Sequence, residues 1–94
     1  MSSIMERAKK IRNLYNNWLT YSKEADKFKD RVNKAKQEFK NATFSESGYA
    51  YSNIFKECLT KKGYKMAIEK LQKNLDSCKA RADRAESRMK TLLE

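Results

Sequence analysis

The sequence predicts an all-α protein folded as a long antiparallel, coiled-coil-like helical hairpin. Apolar residues recur at alternating steps of three and four in both halves of the chain, which is the spacing of a coiled-coil seam. The 94 residues include no proline and only two glycines, so little interrupts a helix. The one segment between the two seams contains Gly48, which places the bend there.

The first helix is predicted over residues 4–42. Ser3 followed by Glu6 is the pattern of a capping box and places the helix start just after Ser3. One extra three-residue step, between Trp18 and Tyr21, is a stammer, which overwinds a coiled coil locally. The apolar residues that form one face of this helix are Ile4, Ala8, Ile11, Tyr15, Trp18, Tyr21, Ala25, Phe28, Val32, Ala35, Phe39 and Ala42.

The connection is predicted over residues 43–49 and the second helix over residues 50–93, within a single helical domain of residues 1–94. Tyr51, Ile54 and Cys58 extend the second seam upstream at helical spacing. An alternative breaks this helix near Gly63 and gives three helices, because Lys-Lys-Gly before an apolar residue is typical of a helix C-terminus. The seam residues of the second helix are Tyr64, Ile68, Leu71, Leu75, Cys78, Ala82, Ala85, Met89 and Leu92.

The residue types argue against an enzyme. The chain has no histidine, so the commonest general base and the commonest metal ligand are both missing. Cys58 and Cys78 lack the spacing of a zinc site. On one helix they would lie about 30 Å apart, too far for a disulfide. We therefore expect no catalytic residue, metal, cofactor or small-molecule substrate.

Aromatic residues are the first candidates for binding another protein. Two helices cannot cover every large ring, and uncovered rings favour association. Phe44 and Phe55 are expected to close the hairpin, leaving the tyrosines near the turn exposed. The sequence thus predicts that the chain binds a protein partner, most simply a second copy of itself in a homodimeric four-helix bundle. Its function would be that of a small adaptor, a secretion partner or an inhibitor of another protein. The predicted partner-binding residues are Tyr15, Trp18, Tyr21, Tyr49 and Tyr51.

Basic residues give the alternative function, nucleic-acid binding. Lys and Arg number 22 against 12 Asp and Glu, a formal net charge of +10. In a hairpin centred near residue 46, residues 81–88 would lie beside residues 4–11. Such a cluster would bind phosphates with strong salt dependence, although a solvated helix surface explains the same charges. The predicted polyanion-binding residues are Arg7, Lys9, Lys10, Arg12, Arg81, Arg84 and Arg88.

The apolar runs of the chain are short. None is long enough to span a membrane or to form the apolar core of a signal peptide. We therefore expect a cytoplasmic protein or one exported without a cleaved signal. Binding to a membrane surface is disfavoured because the seams are long and heptad-like.

A hairpin of this length resembles the WxG-type partners of the type VII secretion system, which form antiparallel hairpins and act as dimers or helpers of larger toxins. That family has Trp-x-Gly at the turn, whereas this turn reads SGYAYSN and Trp18 lies on the first helix. The family's C-terminal Tyr-x-x-x-Asp/Glu signal is also replaced, since Tyr64 is followed four residues later by Ile68. The resemblance covers size and helicity and transfers no site residue.

Overall fold

The computed structural model describes residues 2–94 and confirms the antiparallel helical hairpin. Helix α1 spans Ser2–Asn41 and helix α2 spans Lys61–Leu93. Between them, strands β1 (Ala50–Ser52) and β2 (Glu57–Leu59) pair as a two-stranded antiparallel ribbon. The molecule is a rod of 71 × 16 × 15 Å. Its closed end holds the connection, and its open end is where α1 begins and α2 ends.

Helix α1 agrees closely with its predicted bounds. It begins at Ser2 and ends at Asn41, where residues 4 and 42 were predicted. Because Ser3 lies inside the first turn, the predicted capping box is wrong.

The predicted second helix is wrong in its first part, since α2 begins at Lys61 and not at residue 50. The alternative of three helices broken near Gly63 is also wrong for residues 2–94, since no helix lies between Asn41 and Lys61 and α2 continues through Gly63 to Leu93. Residues 42–60 form the connection, in which Ala50 pairs with Leu59 and Ser52 with Glu57. The turn over residues 53–56 contains Lys56 with φ of 57°, a left-handed conformation that ends any helix.

Thr60 determines where α2 begins. Its backbone is extended, and its Oγ1 accepts a hydrogen bond from the Gly63 N–H at 3.0 Å, which is the geometry of an N-cap. A Cβ on Gly63 would lie 3.3 Å from Thr60 Oγ1, so glycine lets the cap close without crowding. The Lys-Lys-Gly motif therefore lies in the first turn of α2.

We expect Thr60→Ala to lower the free energy of unfolding by about 1 kcal/mol, because an N–H of the first turn loses its acceptor. Thr60→Ser keeps the hydroxyl and should retain most of that stability. Urea unfolding followed by circular dichroism measures both variants. An equal loss in the two would contradict the role of the hydroxyl as the cap.

The buried core lies in the half of the rod next to the closed end. Ile54 and Phe55, from the turn of the ribbon, pack against it together with Phe28 and Ile68. The connection thus adds a third element to the helix pair here, whereas the open end consists of the two helices alone. The buried residues of this core are Ala25, Val32, Ala35, Leu71, Leu75 and Cys78.

Candidate functional site

The open end carries an apolar stripe on α1 that α2 leaves largely uncovered. Ile4 is 77% exposed and Tyr15 is 46% exposed, while Ile11 and Trp18 are half-buried. The steps along the stripe are four, three, four and three residues. We call it the open-end stripe, and its members are Ile4, Ala8, Ile11, Tyr15 and Trp18.

The stammer displaces the open-end stripe from the centre of the contact with α2 toward the flank of the rod, and Ile4 lies beyond the end of α2. Each residue turns an α-helix by about 100°, so a three-residue step in place of a four-residue step displaces the stripe by about 100°. Beyond the stammer, Ala25 and Val32 are buried in the core shared with α2. Before it, Leu14 and Asn17 line the groove between the helices. The residues of the open-end stripe, which lie beside Leu14 and Asn17 on α1, are directed toward the flank of the rod.

The open-end stripe has an aromatic centre and cationic margins. The rings of Tyr15 and Trp18 lie 5.9 Å apart between centroids, tilted by 31°. Helical spacing places Arg7 on one side of the stripe and Arg12 on the other. From Arg7 to Lys23 the chain has no acidic residue. The surface is therefore apolar along its middle and positive at its edges.

Three of the predicted partner-binding aromatics lie toward the open end, but they do not share one surface. Tyr15 and Trp18 belong to the open-end stripe. Tyr21 lies in the groove between the helices, where the Arg81 guanidinium sits 5.5 Å from its ring centroid. The ring of Tyr21 thus already makes a contact within the chain.

The other two predicted aromatics lie at the closed end. Tyr51, on β1, is 58% exposed, and Tyr49 precedes the strand and is also exposed. Phe44 and Phe55 are half-buried and pack near Tyr64, as expected from the sequence. Because the two groups of aromatics lie at opposite ends of a 71 Å rod, one small partner surface cannot cover both.

The helix register differs from the one on which the predicted basic cluster depends. Cys78 contacts Glu24, and Arg81 lies over Tyr21, so Leu93 falls near Lys9. Residues 81–88 therefore lie beside residues 14–21 and not beside residues 4–11. The physical reason is that α2 begins at residue 61, which displaces every pairing along the hairpin.

The seven predicted cations consequently lie in separate groups. Lys10 lines the groove near Arg88, while Lys9 and Arg12 line a different depression on α1 alone. Arg7 lies beyond the end of α2. A largely polar concavity remains between the helices, and we call it the arginine pocket. Its lining residues are Leu14, Asn17, Tyr21, Arg81, Arg84, Ala85 and Arg88.

A hydrogen-bond network at the closed end joins both helices to the connection, and no sequence pattern predicted it. The hydroxyls of Ser52 and Tyr64 both donate to Glu38 Oε1, the second at 3.0 Å. The backbone N–H of Asn53 donates to Glu38 Oε2 at 2.9 Å. Ser52 Oγ in turn accepts from the Phe55 N–H at 3.0 Å. One carboxylate thus fixes the ribbon against α1 and α2.

The pKa shifts of Glu38 and Tyr64 keep both side chains in the protonation states that this network requires. Burial raises the pKa of Glu38, but hydrogen bonds from Ser52, Tyr64 and Asn53 outweigh burial, and the pKa lies below its usual value. Burial, followed by the neighbouring Glu38 carboxylate, raises the pKa of Tyr64. The phenol therefore stays protonated and donates. Ser52 and Tyr64 are 0% exposed, so the hydroxyl side of the network is buried in the fold, while Asn53 lies at its solvent-facing edge.

The two cysteines are free and occupy different environments. Cys58 is exposed on β2, so the premise that it shares a helix with Cys78 is wrong. Burial, followed by the negative charge of Glu24, raises the pKa of the buried Cys78 thiol. Within residues 2–94, no three His, Cys, Asp or Glu side chains are grouped to hold a metal ion. The helices in that range are too polar to span a membrane.

The fold and the surfaces define a class of protein: a two-helix rod, closed at one end by a β-ribbon, with an uncovered heptad stripe at the other. Comparisons of the chain with protein-family models, with curated proteins and with solved structures found no match.

Proposed function

We propose that the protein is a non-enzymatic binding module that docks a helix of another protein along the open-end stripe. The position of the stripe carries this proposal: apolar residues at heptad spacing are left partly uncovered, with Ile4 beyond the end of α2, Tyr15 exposed and Trp18 half-buried. Burying one large apolar side chain contributes about 1.5–3 kcal/mol. Covering Ile4, Tyr15 and Trp18 would therefore provide a substantial driving force. An adaptor, a secretion partner or an inhibitor would use such a surface.

A helix is the partner structure that fits the stripe. From Ile4 to Trp18 the stripe is about 21 Å long. Its alternating four- and three-residue steps are the spacing that a second helix meets with knobs-into-holes packing. Trp18 and Tyr15 are residue types that often carry most of the binding energy at protein interfaces.

Charge favours an acidic partner over a second copy of the chain. The protein has a net charge of +10, and Arg7 and Arg12 flank the stripe. Two copies docked through their stripes would bring these cations together. A partner helix with Glu or Asp beside its apolar seam would pair with them instead. The homodimer expected from the sequence is therefore the less favoured occupant.

Trp18 is the only tryptophan in the chain, so its fluorescence reports directly on the stripe. We expect a synthetic heptad peptide with Leu at positions a and d and Glu at e and g to shift the Trp18 emission saturably to shorter wavelength. Docking removes the half-buried indole from water. Tyr15→Glu should weaken this binding by about tenfold or more, because it puts a buried charge in the interface.

The matched control is Tyr51→Glu, the same change at an exposed tyrosine of the closed end, which should leave binding unchanged. A peptide with Lys at e and g should not bind. Equal binding of the two peptides, or equal effects of the two substitutions, would contradict the proposal. Sedimentation of the protein alone tests the homodimer: a dimer that Tyr15→Glu dissociates would assign the stripe to a second copy.

Nucleic-acid binding is the second candidate, and the three arginines of the arginine pocket favour it. The separation of the seven cations into several groups weighs against it as the main function. If DNA and RNA oligonucleotides do not bind even at low salt, this candidate fails.

A further inference from the structure

The arginine pocket is a concavity of about 190 Å³ in the groove between the helices. Arg81, Arg84 and Arg88 reach it from one face of α2, at steps of three and four residues. Asn17 and Tyr21 reach it from α1. Three arginine side chains thus line one concavity together with an amide and a phenol ring.

No ion pair within residues 2–94 neutralises these arginines. The salt bridges in that range join Lys34 to Asp30 at 2.9 Å and Lys90 to Glu86 at 3.7 Å. Glu86, one turn from the pocket on α2, is therefore already paired. The segment of α1 that faces the arginines lies within the acid-free stretch of residues 7–23. Glu24, which contacts Cys78 one turn from Arg81, lies at the edge of this region, but none of the ion pairs within residues 2–94 joins it to an arginine of the pocket.

Two of the arginines also make contacts within the chain. The Arg81 guanidinium lies 5.5 Å from the Tyr21 ring centroid, a cation–π contact. The Arg84 Nε–H donates to the Ala80 carbonyl oxygen at 3.5 Å, which leaves its two terminal nitrogens free to donate. The contact with Tyr21 restricts the rotamers of Arg81, so less of its conformational entropy is lost when a ligand binds.

From this geometry we infer that the arginine pocket binds a compact phosphate group, as in pyrophosphate or a phosphate monoester. Guanidinium groups recognise phosphate oxygens through paired, charge-assisted hydrogen bonds, and Asn17 adds an amide donor. The groove does not continue as a basic track, since the adjoining part is lined by Leu14, Leu92 and Thr91 together with Lys10 and Arg88. A compact anion therefore fits better than a nucleic-acid strand.

Calorimetric titration with inorganic pyrophosphate at about 150 mM salt tests the inference, because that salt screens diffuse surface attraction. We expect one site per chain. The triple variant Arg81→Gln, Arg84→Gln and Arg88→Gln should weaken binding by about tenfold or more, as each guanidinium contact is charge-assisted. The matched control, Lys23→Gln, Lys27→Gln and Arg31→Gln, removes the same charge elsewhere and should change binding less than about twofold.

Three outcomes would overturn the inference: absence of pyrophosphate binding by the folded protein, equal weakening in the two triple variants, or tighter binding of an oligonucleotide that both triple variants weaken equally. The last would indicate a diffuse nucleic-acid surface. Circular dichroism establishes that each variant is folded before titration. The Trp18 peptide experiment is independent, so failure of one proposal leaves the other standing.

Discussion

Replacing Tyr64 with alanine is expected to lower the free energy of unfolding by about 3–5 kcal/mol, the usual cost of deleting a buried aromatic ring. Tyr64 is 0% exposed. Its ring centroid lies 5.3 Å from that of Phe39, 6.0 Å from that of Phe44 and 6.4 Å from that of Phe55. Deleting this ring leaves a cavity where α1, the connection and α2 meet, and a rod this thin has few other atoms to fill it.

Two further substitutions separate the contributions at this position. Tyr64→Phe removes only the hydroxyl that donates to Glu38, and we expect a loss of about 1–2 kcal/mol. Tyr51→Ala deletes a tyrosine that is largely exposed, and we expect a change below about 0.5 kcal/mol. Urea unfolding of the three variants measures the free energy of unfolding that each one loses and so ranks them. Similar losses for Tyr64→Ala and Tyr51→Ala would contradict the central position of Tyr64.

The two helices could be predicted because only a helix brings residues at alternating steps of three and four to one face. Val32, Ala35, Leu75 and Ala82 are all buried, as their positions in the two seams indicate. The absence of proline removes the usual reasons for a break. This local pattern is sufficient to predict the two helices, and the gap between the two seams predicts the bend.

The connection could not be predicted in the same way, because its residues satisfy two patterns. Tyr51, Ile54 and Cys58 have helical spacing, yet they lie on the ribbon and its turn. The strand pattern, exposed Tyr51 between two buried residues, is only three residues long. Tertiary contacts decide between the patterns, since Ser52 bonds to Glu38, which lies 14 residues away along the chain.

The error at the connection had a large effect on the predicted sites. Moving the start of α2 displaces every facing pair of a hairpin, so Arg81 meets Tyr21 and not the cations near the N-terminus. The stammer at Trp18–Tyr21 was visible in the sequence. Its consequence, an apolar stripe that α2 covers only in part, depends on where α2 lies and requires the structure.

Removing the Glu38 carboxylate is the second substitution with a large expected effect. Glu38→Ala should lower the free energy of unfolding by about 2–3 kcal/mol, because it leaves the buried Ser52 hydroxyl and the Asn53 N–H without their acceptor. Glu38→Gln keeps an acceptor oxygen but removes the charge, so it should lower the free energy of unfolding by less than Glu38→Ala does. Glu46→Gln, at an exposed carboxyl of the same connection, controls for the removal of one negative charge.

The pH dependence of this effect follows from the direction of the Glu38 pKa shift. Since the pKa is lower in the folded protein than in the unfolded chain, the charged carboxylate stabilises the fold fully above the unfolded pKa. That contribution is lost as the pH falls through the folded pKa. The difference in stability between the wild type and Glu38→Gln should therefore be constant near neutral pH and narrow in acid. Urea unfolding over a pH series measures it, and a difference that stayed constant into strong acid would mean that the charge of Glu38 does not stabilise the closed end.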